Sequence, residues 1–386
     1  MLQDSIDLTG KFRSPKKPPL HWMDLEPDER LTVMSTLGLP KFRAKQISTQ
    51  LFQRLNPDVD SWTDLPATLR TRLADELFPP LLEVIFEQKA DRGTTIKIAW
   101  KAFDGVVIES VIMLYPDRAT ICISSEAGCG MNCPFCATGQ GGLQRNLTTA
   151  EIVWQVYEAE RRLRSGQYPT SARHITNIVF MGMGEPMANY RDVMKAIRIL
   201  NAPVPDGLGI SARGITVSTV GMVPRIQQMA RESLPLTLAV SLHAPDDELR
   251  DELVPLNKHF KVDQILDAAW DYARETKRRV SIEYIMIRKM NDQAWRADLL
   301  AKKLKSRGDW GWVHVNLIPL NPTPGSQWTR SDPQDEREFV ARLEAAGVPV
   351  TIRESRGQDI DGACGQLASA VKDALSSKDH DSSDEC

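Results

Sequence analysis

The chain has 386 residues, of which 42% are hydrophobic, and its 48 basic and 51 acidic side chains give a formal net charge of −3. That length predicts one large core with a smaller domain beside it. No stretch resembles a signal peptide or is long and apolar enough to cross a bilayer, so a cytoplasmic location is expected. Six cysteines are too few for a disulfide scaffold in so long a chain, which favours metal binding or thiol chemistry.

The N-terminal third of the chain predicts two kinds of structure. Residues 1–22 form a flexible basic lead-in, and over 23–92 the apolar residues recur at helical spacing with proline at the turns. A small helical accessory domain is expected there. Residues 93–117 alternate in two runs joined by Asp104-Gly105, which predicts a β-hairpin extension.

Residues 118–375 alternate between short apolar strands and amphipathic helices, which predicts an α/β fold with a parallel sheet. The predicted strands lie near 119–124, 175–181, 214–219, 235–242, 279–287 and 312–318. Six such units are too few for a complete eight-stranded barrel, so a partial (β/α)6 barrel is expected, with its chemistry at the carboxyl ends of the strands. Residues 376–386 form an acidic tail that is expected to be disordered.

Three cysteines follow the first predicted strand as Cys-x3-Cys-x2-Cys: Cys129, Cys133 and Cys136. This spacing lets one tight loop direct three thiolates to one centre, and Gly128 and Gly130 give the backbone the freedom to do so. Three ligands leave one iron of a 4Fe-4S cluster open to a small molecule. The alternative is a structural zinc site with Cys122 as its fourth ligand.

Four polar stretches fall at predicted strand ends: FMGMGEP, ITVSTVG, AVSLHAP and NLIPLNPTPG. Glycine lets the backbone approach a ligand closely, and the carboxylate of Glu185 can accept hydrogen bonds from an ammonium or from ribose hydroxyls. Each stretch alone is a weak signal, because a tight turn or a structural histidine explains it equally well. Their convergence around the cysteine loop predicts a ligand site.

Together with RGQDIDGACGQLA near the end of the chain, and KFRAKQI and DLPATLR in the helical segment, these motifs resemble the RlmN/Cfr family of radical S-adenosylmethionine (SAM) RNA adenine methyltransferases. The resemblance runs over about residues 25–371 and is closest to the dual-specificity adenine-C2 branch. It implies a SAM-dependent RNA methyltransferase with one 4Fe-4S cluster on the three loop cysteines. It implies SAM contacts from Gly184, Glu185, Ser218, Ser241, Leu242, His243 and Asn321.

The same resemblance implies catalytic roles for Cys364, Cys122 and Glu109. The target carbon of adenine is electrophilic, so the family uses two SAM molecules, and the Cys364 thiolate first takes a methyl group. After hydrogen abstraction this carbon adds to the adenine and links protein and RNA through a thioether. Cys122 acts as a base and attacks Cys364, which releases the RNA and leaves a Cys122–Cys364 disulfide. Glu109 matches the family's proton acceptor; the alternative is a solvent-facing strand residue.

The implied partners are 23S rRNA near the peptidyl-transferase centre, the anticodon loop of some tRNAs, and an electron donor of flavodoxin or ferredoxin type. A monomer without membrane contact is expected. The helical domain, through Arg43 and Lys45, is expected to hold RNA, with Arg145 and the run ERRLRSG adding charge near the active face. Two alternatives stay open: a Cfr-type adenine-C8 methyltransferase, and a non-enzymatic iron–sulfur or zinc protein that binds RNA or carries electrons.

Overall fold

The computed structural model describes residues 18–168, 170–308, 310–321, 323, 326–353, 356–363 and 365–367. Cys364, the first 17 residues of the predicted lead-in and the predicted tail 376–386 lie outside these ranges. No helix within them has the length and apolar character needed to span a membrane.

The helices and strands of the described residues are numbered in chain order. The helices are α1 Pro27–Thr36, α2 Phe42–Ser48, α3 Ala67–Leu77, α4 Ala137–Gln140, α5 Thr149–Arg164, α6 Tyr190–Asn201, α7 Val223–Ala230, α8 Asp247–Leu253, α9 Val262–Thr276, α10 Ala294–Lys305 and α11 Pro333–Ala345. The strands are β1 Leu82–Ala90, β2 Thr95–Ala102, β3 Val107–Leu114, β4 Ala119–Cys122, β5 Glu126–Gly128, β6 Leu143–Asn146, β7 Ile175–Phe180, β8 Ile215–Thr219, β9 Thr237–Ser241, β10 Val280–Met286, β11 Val313–Pro319 and β12 Val350–Ile352.

One ten-stranded sheet has the order β1-β2-β3-β4-β7-β8-β9-β10-β11-β12. From β4 onwards neighbouring strands are parallel, and their order follows the chain, as in a (β/α) barrel rather than a doubly wound sheet. The six predicted strands are present close to their expected positions, which confirms the partial-barrel fold. The short edge strand β12 was not predicted, because three residues are too few to show a periodic pattern.

The hairpin predicted over 93–117 is present as β2 and β3, which pair antiparallel. Residues 82–90, which the sequence assigned to the helical domain 23–92, instead form β1 and pair with β2. Most side chains of β1 are at least partly exposed on both of its faces, and a register shift lies between Val84 and Phe86. The regular alternation of apolar and polar residues that marks a half-buried strand is interrupted by the three consecutive apolar residues at 84–86.

The end of the predicted lead-in is part of the core. His21 and Trp22 are buried, although the sequence placed them in a flexible segment. Burial lowers the pKa of His21 to about 3, so its ring is neutral. Asp24 Oδ1 accepts a hydrogen bond from Ala150 N in the first turn of α5 at 2.8 Å. This bond attaches the helical segment to the barrel.

Arg30 makes a second connection between the helical segment and the barrel. Its guanidinium carbon lies 5.5 Å from the ring centroid of Trp22 and 4.9 Å from that of Phe52. Its Nη1 donates to Ser48 Oγ at 3.2 Å and to the carbonyl of Asp206, beyond α6, at 2.7 Å. The side chain is 1% exposed, so both aromatic contacts and hydrogen bonds are shielded from water.

We expect Arg30→Ala to lower the free energy of unfolding by about 2–4 kcal/mol, because it leaves a cavity between two rings and removes the bond to the barrel. Arg54→Ala, at an exposed position of the same segment, is the matched control and should change that energy by less than about 0.5 kcal/mol. Urea titration of both variants measures the difference. Equal losses would show that Arg30 does not stabilise the junction.

Candidate active site

The three-cysteine loop is closed at its base by the hairpin of β5 and β6. These strands pair antiparallel, and Cys129 N donates to Gly142 O at 3.0 Å. Gly128 has a φ of +76°, and a Cβ at this position would lie 1.9 Å from the Gly142 carbonyl oxygen. Only glycine therefore fits at the start of the loop.

The thiols of the loop line one cavity, to which Cys129, Cys133 and Cys136 all contribute. Burial raises the pKa of Cys129 to about 12 and raises that of Cys133 as well. Both thiols are therefore neutral in the absence of metal, and they lose their protons when a metal binds the sulfurs. No other cysteine belongs to the described residues that line this cavity, and Cys122 lines the adjoining one. A donor set of three thiols fits a cluster with one open iron better than it fits a four-ligand zinc site.

The strand-end motifs converge on the same cavity. Five of the predicted SAM contacts line it: Gly184, Glu185, Ser218, Ser241 and His243. They lie at or just beyond the carboxyl ends of β7, β8 and β9, which are adjacent and parallel. The parallel topology explains why segments so far apart in the chain meet at one edge of the sheet.

Glu185 is held by backbone donors from two segments. Its carboxylate accepts hydrogen bonds from Met187 N at 3.0 Å and from Val220 N at 2.9 Å. Glu126 Oε2 in turn accepts from Glu185 N at 2.8 Å, so two carboxylates lie close together. Burial raises the pKa of Glu185 to about 7, and the neighbouring Glu126 adds to the effect.

This shift predicts a pH dependence of stability in the cluster-free, reduced protein. The pKa of this carboxyl rises on folding from 4.5 to about 7. The free energy of unfolding of the protein therefore falls as the pH rises through that interval. Between about pH 5 and pH 8, wild-type protein should lose about 2.5 kcal/mol relative to Glu185→Gln, which has no proton to release there. Urea titrations of both proteins at the two pH values give this double difference, and a value near zero would contradict the shift.

His243 presents a neutral donor to the cavity. Ile285 N donates to its Nδ1 at 3.1 Å, which places the ring proton on Nε2. Burial, with a smaller contribution from the charge of Arg250, lowers the pKa of the ring to about 3. Phe135 lies edge-on at a centroid distance of 5.0 Å and, with the Ile285 bond, orients the imidazole.

Glu283 was missed by the sequence analysis and lines the same cavity from β10. Its Oε1 accepts from Ser281 Oγ at 2.6 Å and from Asn316 Nδ2 at 3.0 Å. Its buried Oε2 has no hydrogen-bond partner within the described part of the chain. An acidic residue in the apolar strand sequence SIEYIM was the available signal.

Two predicted site residues lie outside the lining of both cavities. The Leu242 side chain is fully buried in the core, and its carbonyl accepts from Arg250 Nε at 2.8 Å. Glu109 lies in β3 with 1% of its surface exposed and with Lys97 Nζ 3.5 Å from its Oε1. The solvent-facing alternative for Glu109 is therefore wrong.

A second cavity adjoins the first and has a volume of about 260 Å³. Met181, Ile318 and Leu367 line both cavities and so form the wall between them. Cys122 and Asn321 line the second cavity, so Asn321 lies apart from the other predicted SAM contacts.

Cys364 lies outside the described residues, but its two chain neighbours are described. Ala363 lines the second cavity, whereas Gly365 lines the first. The carbonyl of Gly365 accepts from Ala137 N, next to the last loop cysteine, at 2.9 Å. Residues 365–367 therefore pack directly on the segment that follows the cysteine loop.

The two cavities carry opposite charge. The first has Glu185, which is ionised above its pKa of about 7, and Glu283 in its wall, whereas the second has Arg353 and Arg356 and no acidic side chain among its described lining residues. Coulomb interactions therefore favour a cation in the first cavity and an anion in the second.

The basic residues expected near the active face are neutralised by ion pairs. Arg145 is 8% exposed and bonds both Asp104 and Glu151, at 2.6 and 2.7 Å. In ERRLRSG, Arg162 bonds Glu158, and the other two arginines of the run also pair with glutamates. These side chains stabilise the fold and leave little charge for a nucleic acid.

Comparison with known proteins decides the family. The radical SAM superfamily profile matches residues 123–301. The probable dual-specificity RNA methyltransferase RlmN of Nocardioides sp. is 64% identical over 356 residues, covering 92% of this chain and 95% of that protein. Its counterpart in Kineococcus radiotolerans is 61% identical over 352 residues, covering 91% and 90%. The chain belongs to the RlmN family of radical SAM RNA methyltransferases.

A solved structure agrees with this assignment. The crystal structure of a radical SAM methyltransferase from Sphaerobacter thermophilus is 45% identical, with a TM-score of 0.86 over 91% of this chain and 100% of that one. The predicted family is confirmed, and the chain is a SAM-dependent RNA methyltransferase of the dual-specificity type. Membership implies a 4Fe-4S cluster and SAM, and it sets aside the non-enzymatic alternative.

Proposed function

We propose that this RlmN-family enzyme methylates carbon 2 of one adenine in the peptidyl-transferase region of 23S rRNA and of an adenine in the anticodon loop of some tRNAs. The observation that carries the proposal is the pair of adjoining cavities with opposite charge. SAM is a sulfonium cation and suits the acidic cavity beside the three thiols, whereas RNA is an anion and suits the basic cavity that contains Cys122. The dual-specificity name of the relatives supports two RNA substrates.

The acidic cavity has the donors and acceptors that the two cofactors need. Cys129, Cys133 and Cys136 would hold the 4Fe-4S cluster. Five residues of this cavity would contact SAM: Gly184, Glu185, Ser218, Ser241 and His243. Asn321, which lines the adjoining cavity, and Leu242, which is buried in the core, are assigned to SAM by the family motifs alone. When bound, the cluster and SAM supply an electron, a methyl group and hydrogen abstraction. Glu185 accepts hydrogen bonds from an amino group, and the neutral ring of His243 donates one from Nε2.

Two thiols are assigned catalytic roles: that of Cys122, which lines the basic cavity, and that of Cys364. Cys364 carries the methyl group and forms the thioether to the adenine. Cys122 takes a proton and then attacks the Cys364 sulfur; an S–S bond forms, the bond from sulfur to the methylene carbon breaks, and that carbon takes the electron pair and a proton. An external thiol reduces the disulfide. The positions of Ala363 and Gly365, one at each cavity, support a Cys364 that serves both.

The remaining assignments concern the proton acceptor, RNA binding and partners. Glu109 serves as proton acceptor; it lies beside Lys97, whose Nζ is 3.5 Å from its Oε1. The helical segment from residue 23 binds RNA phosphates outside the cavities, through Arg43 and Lys45. A flavodoxin- or ferredoxin-type protein supplies electrons, and the enzyme works as a monomer.

The test is methylation by enzyme reconstituted without oxygen, with SAM and dithionite, on a 23S rRNA fragment and on tRNA transcripts. Nuclease digestion and mass spectrometry should detect 2-methyladenosine in both RNAs. 8-Methyladenosine would assign the enzyme to the Cfr type instead. An enzyme that cleaves SAM but methylates neither RNA would overturn the proposal.

A further inference from the structure

Two arginines contact the same aromatic ring at the basic cavity. Tyr115 follows β3, and a tight turn in which Tyr115 N donates to Arg118 O at 2.9 Å leads into β4. The guanidinium carbon of Arg118 lies 3.9 Å from the Tyr115 ring centroid, and that of Arg356 lies 4.1 Å from it. Both distances are within cation–π range, so the ring orients both cations.

Arg356 is held in place, and the hydrogen bonds given by the described part of the chain occupy one of its donors. Its Nη1 donates to the carbonyl of Leu114 at 3.1 Å, and this bond occupies one of the five N–H donors of a guanidinium. The side chain is half-buried and lines the basic cavity together with Tyr115. A guanidinium fixed by a ring and one hydrogen bond loses little conformational entropy when it binds a phosphate bidentately.

The rest of the cavity wall suits a single base. Apolar side chains form much of its lining: Val111, Met113, Ile318 and Leu367. Asn321 and Cys122 are polar residues of the same lining. The volume of about 260 Å³ suits one nucleoside rather than two. A base inside a helix cannot enter such a cavity unless it leaves its stack.

We propose that Arg356, stacked on Tyr115, binds a phosphodiester that flanks the target nucleotide while its base occupies the apolar part of the cavity. Arg118 stabilises the ring from the same turn. A phosphate contact carries no sequence information, which suits one site that accepts two different RNAs. The inference rests on the proposed function, because it takes RNA as the anion that enters the basic cavity.

The experiment compares Arg356→Gln with Arg274→Gln in the cluster-loaded, full-length enzyme. Arg274 also contacts an aromatic ring, that of Trp270 at 5.9 Å, but it lies on α9 and is 62% exposed. For Arg356→Gln we expect the KM for a tRNA transcript to rise about tenfold, and the slope of log K against log salt for RNA binding to become shallower by about one. Iron content and SAM affinity should match the wild type. Arg356→Lys keeps the charge but not the planar fork, so it should be intermediate.

The outcomes separate this inference from the proposed function. If Arg356→Gln matches Arg274→Gln in KM and salt slope while wild-type enzyme methylates RNA, the phosphate site is wrong and the proposed function stands. The salt slope is a binding measurement and needs no turnover. If wild-type enzyme binds RNA but does not methylate it, the proposed function is wrong. The salt dependence of RNA binding by the two variants then still tests the phosphate site.

Discussion

Cys122→Ala is expected to stop turnover and leave the RNA covalently attached to the protein. Cys122 ends β4 and lines the basic cavity. Without its thiol nothing attacks the thioether sulfur, so the reaction halts after the RNA has been linked to Cys364. The turnover rate should fall by about 10³-fold or more, as for other losses of a covalent catalytic group.

Denaturing gel electrophoresis of the variant with labelled tRNA detects the adduct, and peptide mass spectrometry assigns its linkage. Cys386→Ala is the matched control, since Cys386 lies at the end of the acidic tail, and should turn over like the wild type. The double variant Cys122→Ala with Cys364→Ala should form no adduct. Normal multiple turnover by Cys122→Ala would contradict the two-cysteine mechanism.

Gly128→Ala is expected to prevent cluster binding. The added Cβ would meet the carbonyl oxygen of Gly142 at 1.9 Å, and that oxygen accepts the hydrogen bond from Cys129 N that closes the loop. Backbone cannot give way as a flexible side chain would, so β5 and β6 must separate and the thiols move apart. Iron should fall from about four to less than about one per chain after anaerobic reconstitution.

Gly142→Ala is the control for this substitution. Gly142 also has a positive φ, of +70°, but a Cβ there meets nothing within 4 Å. It should cost only about 1 kcal/mol of backbone strain and keep the cluster. Iron analysis with ultraviolet–visible absorption compares the two variants. Equal iron contents would show that the close approach of Gly128 to Gly142 does not shape the loop.

Sequence reasoning predicted the parts of the site whose signals are local. The spacing of the three loop cysteines and the turn at Asp104-Gly105 lie within short windows, and both appear in the structure as expected. The convergence of the strand-end motifs was also predictable, because parallel strands bring their carboxyl ends to one edge. The residue roles built on that convergence remain predictions.

Other features depended on partners far away in the chain. Arg145 carries a full charge in the sequence, but Asp104, 41 positions away, neutralises it. Glu283 and Glu109 are both acidic residues in apolar strands, yet one lines the acidic cavity and the other lies beside Lys97. A one-dimensional pattern cannot distinguish these cases, because the partner that decides each one is distant in sequence.

By itself, the amino-acid sequence determined the partial barrel, the cysteine loop and the family, because hydrophobic periodicity and short motifs act over a few residues. Only the tertiary structure decided that the site is two cavities of opposite charge with a common wall, and that Asn321 lines the one containing Cys122. It also placed Arg145 in ion pairs with Asp104 and Glu151, and Arg356 in the wall of the cavity that contains Cys122. The physical reason is that the field at a site is the sum over all charges brought near it, and folding selects which ones those are.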